Sequence, residues 1–292
     1  MLTLTGSPRT KKLLSTSFVS LSMISTQAGA ALAKYLFPVL GPIGTVGIRV
    51  SCAALILLVV WRTHLRGKYG WKAYGQAALF GLALGAMNLS FYLALDHIPL
   101  GITVTLEFIG PLILAIALSR RLLDFIWVLF AIGGILLLAP IHGSGGATLS
   151  WVGMGLAFLA GAFWAAYILL SARVGQLFPG GAGLAIGTAT AALFLLPLSI
   201  LQAKTAMLNP LILLAGAGVG LLSSALPYSL EMEALRHLPS RIFSILLSLE
   251  PAIAALMGFL LLHEKLNWQG VIAIALISTA SIGAILFQKD SK

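Results

Sequence analysis

Glu107 and Glu250 each stand near the middle of an apolar run, and each is tied to a proline. Pro111 cannot donate to the carbonyl of Glu107, four residues back, and Pro251 directly follows Glu250. A charge inside a bilayer is expensive, so intramembrane carboxylates face a cavity or a partner. Carbonyls freed at such a depth are tolerated only where protein or water satisfies them. The chemistry on offer is proton exchange or capture of a substrate ammonium group. The alternative is a carboxylate tied structurally to Arg49 or to a hydroxyl.

Other polar residues fall at related places. Ser223, Ser224, Pro227 and Tyr228 lie together, with Glu231 and Glu233 just beyond. Tyr228 and Glu231 are three apart and share a helix face, so a hydroxyl and a carboxylate could meet a zwitterion there. The competing reading pairs Glu231 with Arg236 or Arg241, and Glu233 belongs with that reading. Asn88, beside Met87 and near Tyr92, precedes Tyr228 by 140 residues. It either shares a central cavity with Tyr228 or acts as interhelical glue. Gln27 and Trp164 could line the same cavity; Trp164 is away from the interfacial belt, and ordinary packing is its alternative. Arg49 either neutralises Glu107 or Glu250, or snorkels to the outer interface. Lys34 and Arg173 read as topological anchors. Gly81/Gly85, Gly183/Gly187 and Gly216/Gly220 are small-residue pairs suited to close helix approach.

The elements that must position these residues follow from composition. The 292 residues are 59% hydrophobic and 9% charged, with a mean hydropathy of +1.03. Ordinary soluble domains carry roughly 25% charged residues, so a soluble globular enzyme is excluded. Breaks at charge, proline or glycine give spans at 15–37, 43–61, 74–95, 100–118, 122–141, 149–172, 180–202, 208–230, 241–262 and 268–287. The expected fold is an all-α polytopic membrane protein with ten transmembrane helices and short loops.

The net charge of +10 reads topologically, since no run interleaves basic and aromatic residues for nucleic acid. With the N-terminus inside, fourteen of the eighteen Lys and Arg fall on the cytoplasmic side and three opposite. Both termini are therefore expected in the cytoplasm. The second half repeats the first at an offset near 140: Ala94-Leu95-Asp96-His97-Ile98-Pro99 matches Ala234-Leu235-Arg236-His237-Leu238-Pro239. A proline follows twelve residues later in each copy, and Trp127 and Trp268 open the next span. Five spans per copy is an odd number, so the copies are inverted, a transporter signature. The expected divisions are a cytoplasmic segment 1–14, repeats at 15–141 and 149–287, and a tail at 288–292.

Several chemistries have no motif here. Gly-x-Ser-x-Gly, His-Glu-x-x-His and Walker A sequences are missing from the chain. Cys52 is the one cysteine, and no two of the five histidines have metal-ligand spacing on a helix. No cofactor or metal is expected. Ala28-Gly29-Ala30 resembles a signal-peptidase site, but the apolar stretch outruns a signal segment, and a retained first helix is expected.

Leu106-Glu107-Phe108-Ile109-Gly110-Pro111-Leu112 and Ser224-Ala225-Leu226-Pro227-Tyr228-Ser229-Leu230-Glu231-Met232 carry a family resemblance. So do Leu238-Pro239-Ser240-Arg241 and Ser248-Leu249-Glu250-Pro251-Ala252. The chain resembles the EamA modules of the drug/metabolite transporter superfamily and, more narrowly, the threonine/homoserine exporters of bacterial inner membranes. The resemblance implies ten helices in two inverted repeats and efflux of small neutral amino acids in exchange for protons. Its motif positions are Glu107, Pro111, Pro227, Tyr228, Glu231, Glu250 and Pro251. Glu233 and Arg236-His237 depart from its pattern at the cytoplasmic end. The expectation is an inner-membrane exporter working by alternating access, with an amino acid, H+ and lipid as partners and no nucleic acid. In it Glu250 or Glu107 meets the ammonium or a proton, while Tyr228, Asn88 and helix-end amides meet the carboxylate. The alternatives are a drug/metabolite exporter of the same fold and, from another class, a membrane-embedded lipid-modifying enzyme.

Overall fold

The structure, a computed structural model, describes residues 8–65, 67, 69–118, 124–138, 150–235 and 246–286. Among the described residues every regular element is a helix. Lipid offers no partner to a backbone amide, so long apolar runs satisfy their own hydrogen bonds by coiling. In chain order the helices are α1 (Pro8–Lys34), α2 (Phe37–Val60), α3 (Arg62–Leu65), α4 (Trp71–Leu95), α5 (Leu100–Glu107), α6 (Ile109–Leu118) and α7 (Asp124–Leu138). Then come α8 (Trp151–Leu177), α9 (Ala182–Ala203), α10 (Pro210–Gly220), α11 (Leu226–Leu235), α12 (Glu250–Leu262) and α13 (Trp268–Leu286). A 3-10 turn at Lys204–Leu208 precedes α10, and a π turn at Leu221–Ala225 joins α10 to α11.

Among the described residues five stretches are long and apolar enough to cross a membrane: Phe37–Val60, Trp71–Leu95, Trp151–Leu177, Ala182–Leu208 and Pro210–Tyr228. Leu201, Leu214 and Leu129 are exposed on the bundle's outside, where lipid replaces the water that would penalise them. Inside, α2 packs on α9, α4 on α8 and α9, α1 on α11 and α12, α5 on α12, and α7 on α13. Small residues permit the closest crossings. A Cβ on Gly81 would lie 2.3 Å from the carbonyl oxygen of Gly187, so the α4–α9 contact needs glycine there.

The helices depart from the expected spans where backbone hydrogen bonds are lost. The single span expected at 100–118 is two helices, broken at Phe108, because Pro111 has no N–H for the Glu107 carbonyl. Residues 236–245 of the loop and ninth span lie outside the described residues; the described α12 begins at Glu250 with Pro251 in its first turn. The second span begins earlier than expected, at Phe37. It bends at Gly41, whose φ of 68° favours glycine, just before Pro42.

Candidate functional site

Pro227 is the local origin of the site. Without an N–H it can serve neither the carbonyl four residues back, Ser223, nor the one five back, Leu222. The chain widens into the π turn there. Both carbonyls accept from side chains of other helices: Ser25 Oγ donates to Leu222 O at 2.7 Å and Arg49 Nη2 donates to Ser223 O at 3.0 Å. Arg49 Nη2 also reaches Ser224 Oγ at 3.2 Å, and Nη1 donates to Asn88 Oδ1 at 2.8 Å. Its guanidinium lies 5.3 Å from the centre of the Tyr92 ring.

Arg49 is therefore held by neutral groups and acts on Glu107 through the field, without a contact ion pair. It is 6% exposed, so it does not snorkel. Among the described residues the one ion pair is Lys34–Glu264, so no carboxylate pairs directly with Arg49. Asn88 is likewise committed, its Oδ1 to Arg49 and its Nδ2 to the Leu84 carbonyl at 2.8 Å. It orients the guanidinium and keeps one Nδ2–H beyond these two bonds.

The carboxylates lie near one another, with Glu107 within longer-range reach of this cation. Glu107 closes α5 and is buried; Glu250 opens α12. Glu107 lies within electrostatic reach of Glu250 and Arg49. Tyr228 lies within reach of Arg49, Glu231, Glu250 and Glu107. Helix α1 supplies partners to two of the acids: Gln27 Nε2 donates to Glu250 Oε1 at 2.8 Å, and Ser22 Oγ donates to Glu231 Oε1. Arg236 and Arg241, the alternative partners of Glu231, lie outside the described residues, as does the side chain of Glu233.

Aromatic rings form the remaining wall. Trp164 meets Phe108 edge to face, with centroids 4.7 Å apart, directly after Glu107. Tyr167 stacks on Phe80 at 5.0 Å and lies within electrostatic reach of Tyr228 and Glu231. Trp164 and Tyr167 pack against the central core yet stay half-buried, as do Tyr228, Glu231 and Glu250. That is the behaviour of residues lining an interior cleft. Gln27, Arg49, Asn88, Glu107, Trp164, Tyr228, Glu231 and Glu250 thus converge, with Pro111, Pro227 and Pro251 at the breaks that position them.

Ser22, Ser25 and Tyr167 were missed by sequence reasoning. A signal existed for the serines: Ser15, Ser22 and Ser25 recur at helical spacing, a step round the helix from the exposed Leu14, Leu21 and Ile24, and all three are buried. Tyr167 has no comparable signal, since one aromatic among apolar residues reads as packing.

Residues 151–286 match the EamA-like transporter family. The chain is 42% identical over 266 residues to the threonine/homoserine exporter RhtA of Salmonella typhimurium (strain SL1344), covering 91% of this chain and 89% of that protein. It is 42% identical over 272 residues to the Escherichia coli (strain K12) protein of the same name, covering 93% and 91%. A solved crystal structure aligns with a TM-score of 0.64 over 93% of this chain and 96% of that one, at 16% identity, a likeness of fold alone. Transporters, not lipid-modifying enzymes, are the company this chain keeps.

Proposed function

The chain belongs to the EamA-like transporter family, and from that premise we propose that it exports small neutral amino acids, of the threonine and homoserine kind, across the bacterial inner membrane. The observation that carries the reading is the 42% identity to exporters of that name along some nine tenths of both chains. The site is consistent with it, because a zwitterion leaving water needs polar groups for both its charges. Glu250 or Glu107 meets the ammonium or carries the exchanged proton, and Tyr228 faces the same cleft.

The reading includes ten spans in two inverted repeats, the first made of α1, α2, α4, α5/α6 and α7. The second is α8, α9, α10/α11, α12 and α13. Helix packing supports it: α2–α9, α5–α12 and α7–α13 each join equivalent spans, while α4–α8 becomes α11–α1 when the repeats are exchanged. Alternating access is a rocking of one repeat against the other about the broken segments at Phe108, the π turn and Glu250. Proton antiport supplies the energy, and both termini are cytoplasmic, as the count of basic residues supports.

Efflux of labelled threonine and homoserine from loaded vesicles tests the reading, with organic cations as competitors. Faster efflux than from empty membranes, resisted by cations, is the expected result. No difference from empty membranes overturns it, and competition by cations alone assigns a drug exporter of the same fold instead.

A further inference from the structure

Arg49 is a buried cation whose charge has no contact partner. It is 6% exposed, lies in α2, and is surrounded by neutral acceptors: Asn88 Oδ1, the Ser223 carbonyl and Ser224 Oγ. Among the described residues no carboxylate forms an ion pair with it. Hydrogen bonds occupy Nη1 and Nη2, but Nε has none, although it is buried. Ser223 Oγ, in the π turn, is also buried without a hydrogen bond.

These features are hard to explain as structural economy. A guanidinium is an expensive way to cap one proline-freed carbonyl, since Ser25 caps the neighbouring one with a hydroxyl. Asn88, the π turn and the Tyr92 face instead hold the group in one orientation, with Nε–H left without a partner. A guanidinium N–H fixed in its plane meets a carboxylate in a directed, charge-assisted hydrogen bond, a geometry that a freely rotating ammonium lacks. Glu107 lies within electrostatic reach of Arg49, and Glu250 within reach of Glu107, so a ligand at Arg49 has negative groups at its other end.

We propose that Arg49 receives the α-carboxylate of the transported amino acid, with Asn88 and the π-turn oxygens as its positioning partners. The proposal rests on the amino-acid exporter reading and adds the polarity of binding. The substrate carboxylate points to α2 and the π turn, and its ammonium points to Glu107 and Glu250. A carboxylate becomes a requirement for binding, and amines or esters of the same size are rejected.

The test is equilibrium binding of labelled threonine to the purified full-length protein in lipid nanodiscs, competed by threonine and by threonine amide. The amide has the same size and ammonium but no carboxylate. Wild type is expected to prefer threonine by about tenfold or more, the range of a charge-assisted hydrogen bond. Arg49→Gln is expected to lose about tenfold or more of threonine affinity while amide affinity stays within about threefold, so discrimination collapses. Arg49→Lys keeps the charge and lacks the planar fork; its threonine preference is expected to fall several-fold, and it carries the test if the Gln protein does not fold. A wild-type threonine-to-amide ratio in either folded variant overturns the proposal. A wild type that binds neither compound overturns the exporter reading, and this proposal with it.

Discussion

Gln27 Nε2 donates to Glu250 Oε1 at 2.8 Å, joining α1 to the first residue of α12. The other end of that amide, Oε1, is buried and makes no hydrogen bond. A carboxamide can donate to a charged carboxylate or accept from a protonated one, so Gln27 is matched to both states of Glu250. Gln27→Leu removes both options at similar volume. Normal membrane abundance with pH-driven efflux lowered about tenfold is expected, the scale of one lost bond to a buried charge. Quantitative immunoblotting beside vesicle efflux checks it. Unchanged efflux per molecule removes Gln27 from the mechanism.

The crossing of α6 and α8 makes a prediction about stability. A Cβ on Gly110 would lie 1.9 Å from Gly161 O, and one on Gly161 would lie 2.5 Å from Glu107 O. Both obstacles are backbone, so neither can rotate away. Gly161→Ala is expected to cost about 1–3 kcal/mol by overpacking, despite alanine's better helix propensity. Gly155→Ala, with nothing within 4 Å, is the clash-free control on the same helix and should unfold at or above the wild-type midpoint. Thermal unfolding in detergent reads both. Equal midpoints would contradict the close crossing.

Lys34 and Glu264 make a third case. Glu264 Oε1 accepts from Lys34 Nζ at 2.8 Å, while Oε2 accepts from the Leu100 amide, also at 2.8 Å. One side chain thus ties the end of α1 to the start of α5. Glu264→Gln is expected to destabilise more than Lys34→Gln, because only the first weakens both contacts. The side chains are 14% and 28% exposed, so the coupling energy in a double-mutant cycle should be modest, about 1 kcal/mol. Additive losses would mean that the pair contributes nothing.

Sequence periodicity and hydropathy made the helices legible, because lipid allows an apolar run few other structures. Glu107, Glu250, Tyr228 and Pro227 were legible as well, since charge and proline are costly inside a membrane. Partner choice was not. Arg49 reads as a counter-ion for Glu107 or Glu250, or as a snorkelling cation; it lies within electrostatic reach of Glu107, but one of its hydrogen bonds goes to the carbonyl released by Pro227, a backbone acceptor that no residue letter announces. The partners of Asn88, Arg49 and the Leu84 carbonyl, were hidden for the same reason: they depend on how α2 and α4 rotate. Glu264 was passed over because its place near a span end resembles any interfacial acid.

The expected topology is testable with one substitution as background, since Cys52 is the chain's one cysteine. In a Cys52→Ala protein, cysteines placed in the loop 62–72 should resist an impermeant thiol reagent in intact cells. Cysteines placed at 141–150 should react. The reverse pattern would invert the orientation and the direction of transport assigned to it.

The most direct measurement of proton-coupled amino-acid export is threonine efflux from loaded, right-side-out vesicles after external acidification. Protons entering down the imposed gradient should accelerate efflux by the wild type. Glu250→Gln keeps the volume and hydrogen-bonding capacity while removing titration. It should reach normal abundance and lose the acceleration, with measurable exchange of internal for external threonine remaining. Acceleration equal to wild type in Glu250→Gln, or wild-type efflux indifferent to the gradient, would contradict the account.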